Sequence, residues 1–214
     1  MVCQFTDPGA LPVNILSPYE LNNRNVKSVD RFHYNKGVKY ITKFCHTCLI
    51  YRPPGVSHCK LCNFCIERFD HHCPWLANCI GFRNYKFFCL VHLYGIIATL
   101  CIAFTYWEVI VNYNLHFDTN IFQVFYSSFI YVCNLGLFGF LLWLFLVNWN
   151  LVLSGETVIE HSDRERFPSA KNENVYNLGA YRNFTTVFGR NPLVWFIPFF
   201  PNYAGKGIVY EKNK

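Results

Sequence analysis

The chain has 214 residues, of which 52% are hydrophobic, 19% aromatic and only 15% charged. That shortage of charge excludes a domain that meets water on every side, and the length suffices for one or two small domains. The formal charge of +6 admits nucleic acid or an anionic membrane surface as a partner, and the apolar runs described below favour the membrane.

Residues 1–40 are polar and rich in turn formers (Pro8-Gly9, Pro12, Pro18, Asn22-Asn23, Lys36-Gly37) and read as a cytosolic lead-in without periodic pattern. The opening Met1-Val2-Cys3-Gln4-Phe5 continues into Thr6-Asp7-Pro8-Gly9 and has no long apolar core, so no signal peptide is expected. Residues 41–86 hold seven of the eleven cysteines, mostly in C-x-x-C pairs interleaved with histidines. A secreted disulfide framework would not need those histidines. A small metal-nucleated unit of hairpins and turns on the cytosolic side is expected instead, because the segment has too few aliphatic residues for a core of its own.

Residues 87–111, from Phe87 to Val111, form an apolar stretch whose only titratable acids or bases are His92 and Glu108. At about 1.5 Å per residue it can cross a hydrocarbon core of ~30 Å. Residues 121–153, from Ile121 to Leu153, contain no Asp, Glu, Lys or Arg at all and predict a second transmembrane helix. Cys89, Cys101 and Cys133 inside these spans read as small hydrophobes. The connection Asn112 to Asn120 has one acid, Asp118, and no base, whereas the outer flanks carry Arg83, Lys86, Arg164, Arg166 and Lys171. The positive-inside rule therefore puts the connection in the lumen and the metal segment and both termini in the cytosol.

Residues 154–214 form a cytosolic tail, polar up to Asn191 and then apolar from Pro192 to Pro201. Three prolines break any helix there, and Trp195 with its phenylalanines suits the membrane interface. Asn183-Phe184-Thr185 is a glycosylation sequon on the side where it would go unused. No internal repeat or low-complexity tract is evident. The fold class is thus an α-helical membrane protein, with two transmembrane helices plus a small two-zinc Cys/His-rich hairpin domain on the cytosolic side.

The metal segment reads Cys45-x2-Cys48-x9-His58-Cys59-x2-Cys62-x2-Cys65-x4-Asp70-His71-His72-Cys73-x5-Cys79. A C-x-x-C pair turns two thiolates toward one tetrahedral ion. Seven cysteines with His58, His71 and His72 make ten candidates, and two closed four-coordinate zinc sites use eight. Two remain. Asp70-His71-His72-Cys73 packs a carboxylate, an imidazole and a thiol together, the parts of an activated nucleophile in which His71 takes the Cys73 proton and Asp70 orients the imidazole. His46, inside a C-x-x-C turn, is expected to face solvent. The same ten residues also fit a non-catalytic, membrane-tethered zinc-binding adaptor. A nucleic-acid reader fits less well, because the segment abuts the span at Phe87.

At these residues the chain resembles the DHHC protein S-acyltransferases (palmitoyltransferases). The resemblance rests on the cysteine spacings, on Asp70-His71-His72-Cys73-Pro74-Trp75, and on Asn78-Cys79-Ile80-Gly81 followed by Asn84-Tyr85-Lys86-Phe87-Phe88. Asp7-Pro8-Gly9 is similar to the family's DPG motif. Thr157-Val158-Ile159-Glu160 resembles its TTxE motif, with Val158 in place of the second threonine. Asn174, Tyr176, Gly179 and Asn183, running to Phe188-Gly189, are similar to its C-terminal motif.

The resemblance implies a two-step transfer. Cys73 takes a long-chain acyl group from palmitoyl-CoA or a similar acyl-CoA and passes it to cysteines of cytosolic or membrane-associated proteins. It implies that Cys45, Cys48, His58 and Cys65 hold one zinc, and that Cys59, Cys62, His72 and Cys79 hold the other, leaving His71 and Cys73 free. Endoplasmic reticulum or Golgi is the implied location. Between Lys39 and Lys86, seven Lys/Arg face only Glu67 and Asp70, and the excess stays positive after six zinc-bound thiolates, which suits CoA phosphates and equally a solvated basic face near anionic lipid. Gly95, Ala98 and Thr99 are small residues that either open a slot for the acyl chain or serve close helix packing. The family usually places two further spans ahead of the DPG motif, so the chain is expected to lack them as a fragment or reduced member, which leaves a truncated, inactive member as an alternative.

Overall fold

The computed structural model describes residues 2–11, 31–35, 38–42, 44–53, 55–115, 120–166, 174 and 176–200, with side chains described outside 31–42 and 113–115. Pro12, Pro18, Asn22, Asn23, Lys36, Gly37, Asp118, Lys171 and Pro201 lie outside the described residues. The chain divides into two compact units, Met1–Phe87 with Leu151–Lys214, and Phe88–Asn150.

A short helix α1 (Val2–Phe5) is followed by four antiparallel hairpins: β1–β2 (Arg31–Asn35, Val38–Thr42), β3–β4 (Phe44–Cys45, Ile50–Tyr51), β5–β6 (Val56–Cys59, Phe64–Glu67) and β7–β8 (His71–Cys73, Asn78–Ile80). Then come the long helices α2 (Tyr85–Leu115) and α3 (Ile121–Ser154), the shorter α4 (Val158–Arg166) and α5 (Ala180–Phe188), and a single 3₁₀ turn, Pro192–Val194. Each sheet has only two strands, an arrangement that is marginal in water by itself.

The last three hairpins are copies of one another. Phe44 pairs with Tyr51 and Cys45 with Ile50; His58 pairs with Cys65 and Cys59 with Phe64; His72 pairs with Cys79 and Cys73 with Asn78. The turns place a non-glycine residue in the left-handed region at Leu49, Asn63 and Ala77, with φ of 56°, 62° and 47°. Both series advance by a step of 14 residues. The segment is therefore an internal repeat, a correction to the expectation of none. It is hard to see in the sequence because little besides the Cys and His positions recurs, and the third copy has Leu76 where the first two have Cys48 and Cys62.

The interior of this region is largely sulfur. One buried cluster joins Leu11, Ile50 and Val56 to Cys45, Cys48 and Cys65, and another joins Ile66 to Cys59 and Cys79 with Phe64 and Phe69 against it. The Asp7-Pro8-Gly9 segment straps the hairpins together. Asp7 Oδ1 accepts from the backbone N–H of Gly9 and Ala10, both at 2.9 Å. The strap then exchanges backbone hydrogen bonds with β6, Glu67 N–H to the Gly9 carbonyl at 2.9 Å and Leu11 N–H to the Cys65 carbonyl at 2.8 Å. A side chain at Gly81 would bring its Cβ within 2.5 Å of Ile66 Cγ2 and 2.6 Å of the Pro8 carbonyl oxygen, so only glycine lets strap and hairpin close. Asn78 finishes the docking by donating Nδ2 to the carbonyls of Cys3, Gln4 and Thr6 at 3.3, 3.0 and 2.9 Å.

Both long helices are long and apolar enough to cross a membrane, and only 33% and 6% of their apolar windows are buried. A core helix of a soluble protein would be mostly covered, so these exposed apolar faces are made for lipid. Within the second unit the two helices meet at Gly95, where a Cβ would stand 3.0 Å from Leu141 Cδ1. They meet again at the carbonyl of buried Thr99, which accepts from Asn134 Nδ2 at 3.0 Å. Gly95 and Thr99 thus serve helix packing, whereas Ala98 is exposed. Buried His92 is satisfied within its own helix, Nδ1 lying 2.9 Å from the Phe88 carbonyl.

Candidate metal centres and nucleophile

Each cage combines one C-x-x-C turn with one His–Cys pair facing each other across a hairpin. Cys45 and Cys48 come from the β3–β4 turn, and His58 and Cys65 are directly opposite in β5–β6. Cys59 and Cys62 come from the β5–β6 turn, and His72 and Cys79 are opposite in β7–β8. The middle hairpin therefore gives its strand pair to one cage and its tip to the other. Chaining the hairpins in this way shares one ordering event among elements that would not hold alone.

In each set the ligand atoms all lie within 4.8 Å of one another. His58 Nδ1 is 3.5, 3.3 and 3.8 Å from the sulfurs of Cys45, Cys48 and Cys65. His72 Nδ1 is 3.9, 3.3 and 3.4 Å from those of Cys59, Cys62 and Cys79. A tetrahedron with metal–sulfur bonds of 2.3 Å and metal–nitrogen bonds of 2.0–2.1 Å has edges of about 3.6–3.8 Å, so the donor sets fit a metal ion each. Thiol titration points the same way. Burial, then the neighbouring thiols, push Cys65 and Cys79 well above the usual thiol range. Burial also opposes the Cys45 and Cys59 thiolates, but hydrogen bonds led by the backbone N–H of Cys48 and of Cys62 outweigh it and hold both below their usual value. Three thiolates packed this closely need a cation among them.

His71 and Cys73 belong to neither cage. Strand alternation puts them on one face of β7 and His72 on the other. Cys73 is buried, and His71 keeps about a third of its side chain exposed. Asp70 is 1% exposed and bridges two parts of the chain: Oδ2 lies 2.8 Å from His71 Nδ1, and Oδ1 accepts from the Val158 backbone N–H at 2.8 Å. A carboxylate oxygen accepts, so Nδ1 carries the proton and Nε2 is left as the basic nitrogen.

Val158 is presented to Asp70 by a capping box. Thr157 Oγ1 accepts from the Glu160 N–H at 3.2 Å, and Glu160 Oε2 accepts from the Thr157 N–H at 2.9 Å. The same Oε2 pairs with Arg68 at 2.8 Å, and Arg68 also donates to the Gly155 carbonyl and lies 4.8 Å from the Tyr176 ring centre. Asn183 is buried, with Nδ2 donating to Leu153 and Asn177 and Oδ1 accepting from the Leu178 N–H. Its amide has no room for a glycan. The sequence signalled these positions through motif resemblance but not what each one holds.

Two of the basic residues counted in the sequence are turned inward, Arg68 to Glu160 and the fully buried Lys86 to the carbonyls of Val194 and Phe199, while Arg83 pairs with Asp7 and Glu67 but stays about half exposed. Among the described side chains of that segment, Lys60 and Arg83 are left exposed and Arg52 partly so. The basic surface open to phosphates is smaller than the count implied.

A profile of the DHHC palmitoyltransferase family matches residues 38–165. The chain is 34% identical over 176 residues to palmitoyltransferase ZDHHC15 of Xenopus laevis, covering 79% of this chain and 50% of that protein. It is 30% identical over 167 residues to palmitoyltransferase ZDHHC2 of Danio rerio, covering 78% and 46%. The probable protein S-acyltransferase 15 of Arabidopsis thaliana is 28% identical over 229 residues, covering 100% and 82%. The chain spans about half the length of the first two of these relatives.

Proposed function

This chain belongs to the DHHC palmitoyltransferase family, and from that premise we propose that it is a protein S-acyltransferase working through a Cys73 acyl-enzyme. The observation that carries the reading is the trio left outside both cages: a buried thiol on the same strand face as an imidazole, whose other nitrogen is held by a buried carboxylate.

In the first half-reaction His71 Nε2 takes the Cys73 proton, and the thiolate attacks the carbonyl carbon of a long-chain acyl-CoA such as palmitoyl-CoA. The bond from carbonyl carbon to CoA sulfur breaks, and His71 returns its proton to the departing CoA thiolate. In the second, His71 deprotonates a cysteine of the target protein, that sulfur attacks the acyl carbonyl, and Cys73 leaves as a thiolate and is reprotonated. Asp70 holds the imidazole in the required tautomer and supports its positive charge.

Cys45, Cys48, His58 and Cys65 would hold one zinc ion and Cys59, Cys62, His72 and Cys79 a second. Bound there, zinc supplies structural cross-linking, because a four-ligand set leaves no open coordination position. The Lys/Arg asymmetry across the spans supports cytosolic termini and a cytosolic hairpin domain, and an endoplasmic reticulum or Golgi membrane is the setting. Protease protection in sealed microsomes tests that orientation: a shielded C-terminal tag contradicts it.

The activity is tested with labelled palmitoyl-CoA and purified protein in a bilayer. We expect a hydroxylamine-sensitive label that Cys73→Ser removes. A protein with two bound zinc ions and no thioester at Cys73 overturns the enzyme reading in favour of an adaptor.

A further inference from the structure

The stretch from Asn191 to Phe200 takes no part in the chemistry above, yet it is built with unusual economy for a surface turn. Its side chains point out: Leu193, Phe196, Ile197, Phe199 and Phe200 are 81, 50, 43, 62 and 65% exposed. No acid or base stands between Arg190 and Pro201. Trp195 faces the other way, its Nε1 donating to the Gly189 carbonyl at 2.8 Å and its ring edge-on to Phe184 at 4.8 Å. Of the residues that the sequence assigned to an interface, Trp195 is thus the inward anchor, and the phenylalanines with the aliphatic side chains form the outer face.

Much of the turn's backbone is paired from within. Leu193 N–H donates to Asn191 Oδ1, and the N–H groups of Val194, Trp195, Ile197 and Phe199 donate to carbonyls of Asn191, Pro192, Val194 and Ile197. Pro192 and Pro198 have no N–H to satisfy. From beneath, Lys86 Nζ donates to the carbonyls of Val194 at 2.6 Å and Phe199 at 3.0 Å. Turn and cap bonds of this kind occur in water too, but a wholly buried lysine donating to two carbonyls is a contact that a turn served by water does not need. Irregular backbone can approach hydrocarbon only when its polar groups are paired by protein. Lys86 also lies in the first turn of α2, a membrane-capable helix, and Phe87 beside it meets the Phe200 ring edge-on at 5.1 Å. The apolar face is therefore continuous with the place where the chain enters the bilayer.

We propose that Pro192–Phe200 is a membrane wedge: its phenylalanine and aliphatic face sits in the interfacial lipid beside the start of α2, and Lys86 latches the turn in place. The partner is the bilayer itself. This proposal does not depend on acyl transfer.

The test places an environment-sensitive fluorescent amino acid at Phe196 or at Phe199 of the full chain in phosphatidylcholine vesicles. We expect strong quenching by lipids brominated on their acyl chains and shielding from aqueous iodide, with the opposite pattern for the same label at exposed Lys60 or Asp163. Iodide quenching at Phe196 equal to that at Lys60 overturns the wedge. So does protection that appears only at high protein-to-lipid ratio, since that identifies a second copy as the occupant. Lys86→Met should abolish the bromolipid quenching at Phe196; quenching that persists overturns the latch, and the labels in the unmutated background decide the wedge whether or not that variant folds.

Discussion

The first two repeated hairpins and the third share one backbone and differ in what their cysteines can do. In the first two, both cysteines of the turn have a His–Cys pair waiting on the next hairpin. In the third, Cys73 occupies the position of Cys45 and Cys59, Leu76 stands where Cys48 and Cys62 stand, and the chain passes into α2 where a further hairpin would follow. A thiol with no cage to join remains a thiol. The same turn geometry thus supplies cysteines to a candidate metal cage twice and leaves a thiol outside both cages once, and what distinguishes them is the next fourteen residues, not the local fold.

Removing a ligand should break the comparison most severely. Cys62→Ser is expected to lose a metal ion and unfold the hairpin region, because structural zinc contributes on the order of 10–16 kcal/mol in small metal-folded units. Cys73→Ser should keep two zinc ions per chain by metal analysis, with an unchanged melting temperature. Equal damage from both would erase the distinction between the hairpins.

Gly81→Ala ranks next. Its Cβ meets Ile66, Pro8 and Glu67 at 2.5–2.9 Å, so a loss of about 3 kcal/mol or more is expected from overpacking against backbone, measurable by denaturant titration of the metal-loaded protein. Asp70→Asn should leave metal content and stability nearly intact yet slow thioester formation roughly 10²-fold or more, the scale at which misorienting a catalytic imidazole acts; a rate within a factor of two of the parent contradicts the role given to Asp70. Thr157→Ala removes the hydroxyl that caps α4 and should cost about 1 kcal/mol, with a smaller fall in loading because Val158 N–H loses its fixed direction toward Asp70. The smallest effect is expected from Leu76→Cys. It rebuilds the C-x-x-C turn of the third hairpin, but no His–Cys strand pair follows, so metal analysis should still find two ions. A third ion would show that the turn alone is enough.

How much of this was legible in the sequence follows from the range of each interaction. The C-x-x-C spacings and the long uncharged stretches are local signals, and they pointed directly to the cages and the membrane-capable helices. Asp70 with Val158, Lys86 with Val194 and Phe199, and Asn78 with Cys3 are contacts across 88, 108, 113 and 75 residues. No periodicity announces them. Lys86 in particular read as one more surface cation, because nothing in its neighbours states that it will be wholly buried under a turn. Nor does any local pattern announce that the Trp195 indole N–H donates to the Gly189 carbonyl while its neighbouring phenylalanines face outward.

The bond from Val158 to Asp70 has a consequence in time. A ribosome delivers the chain from its N-terminus, so the hairpins with Cys73 emerge early, while both long helices and the start of α4 are still to be made. Until residue 158 arrives, one oxygen of Asp70 lacks its N–H partner and the capping box that aims it does not exist. The hydrogen-bonded surroundings of Asp70 are complete only after the second helix has been synthesised and the chain has returned to the hairpins. A nascent chain stalled before that point carries Asp70, His71 and Cys73 with one oxygen of the Asp70 carboxylate still unpartnered by Val158.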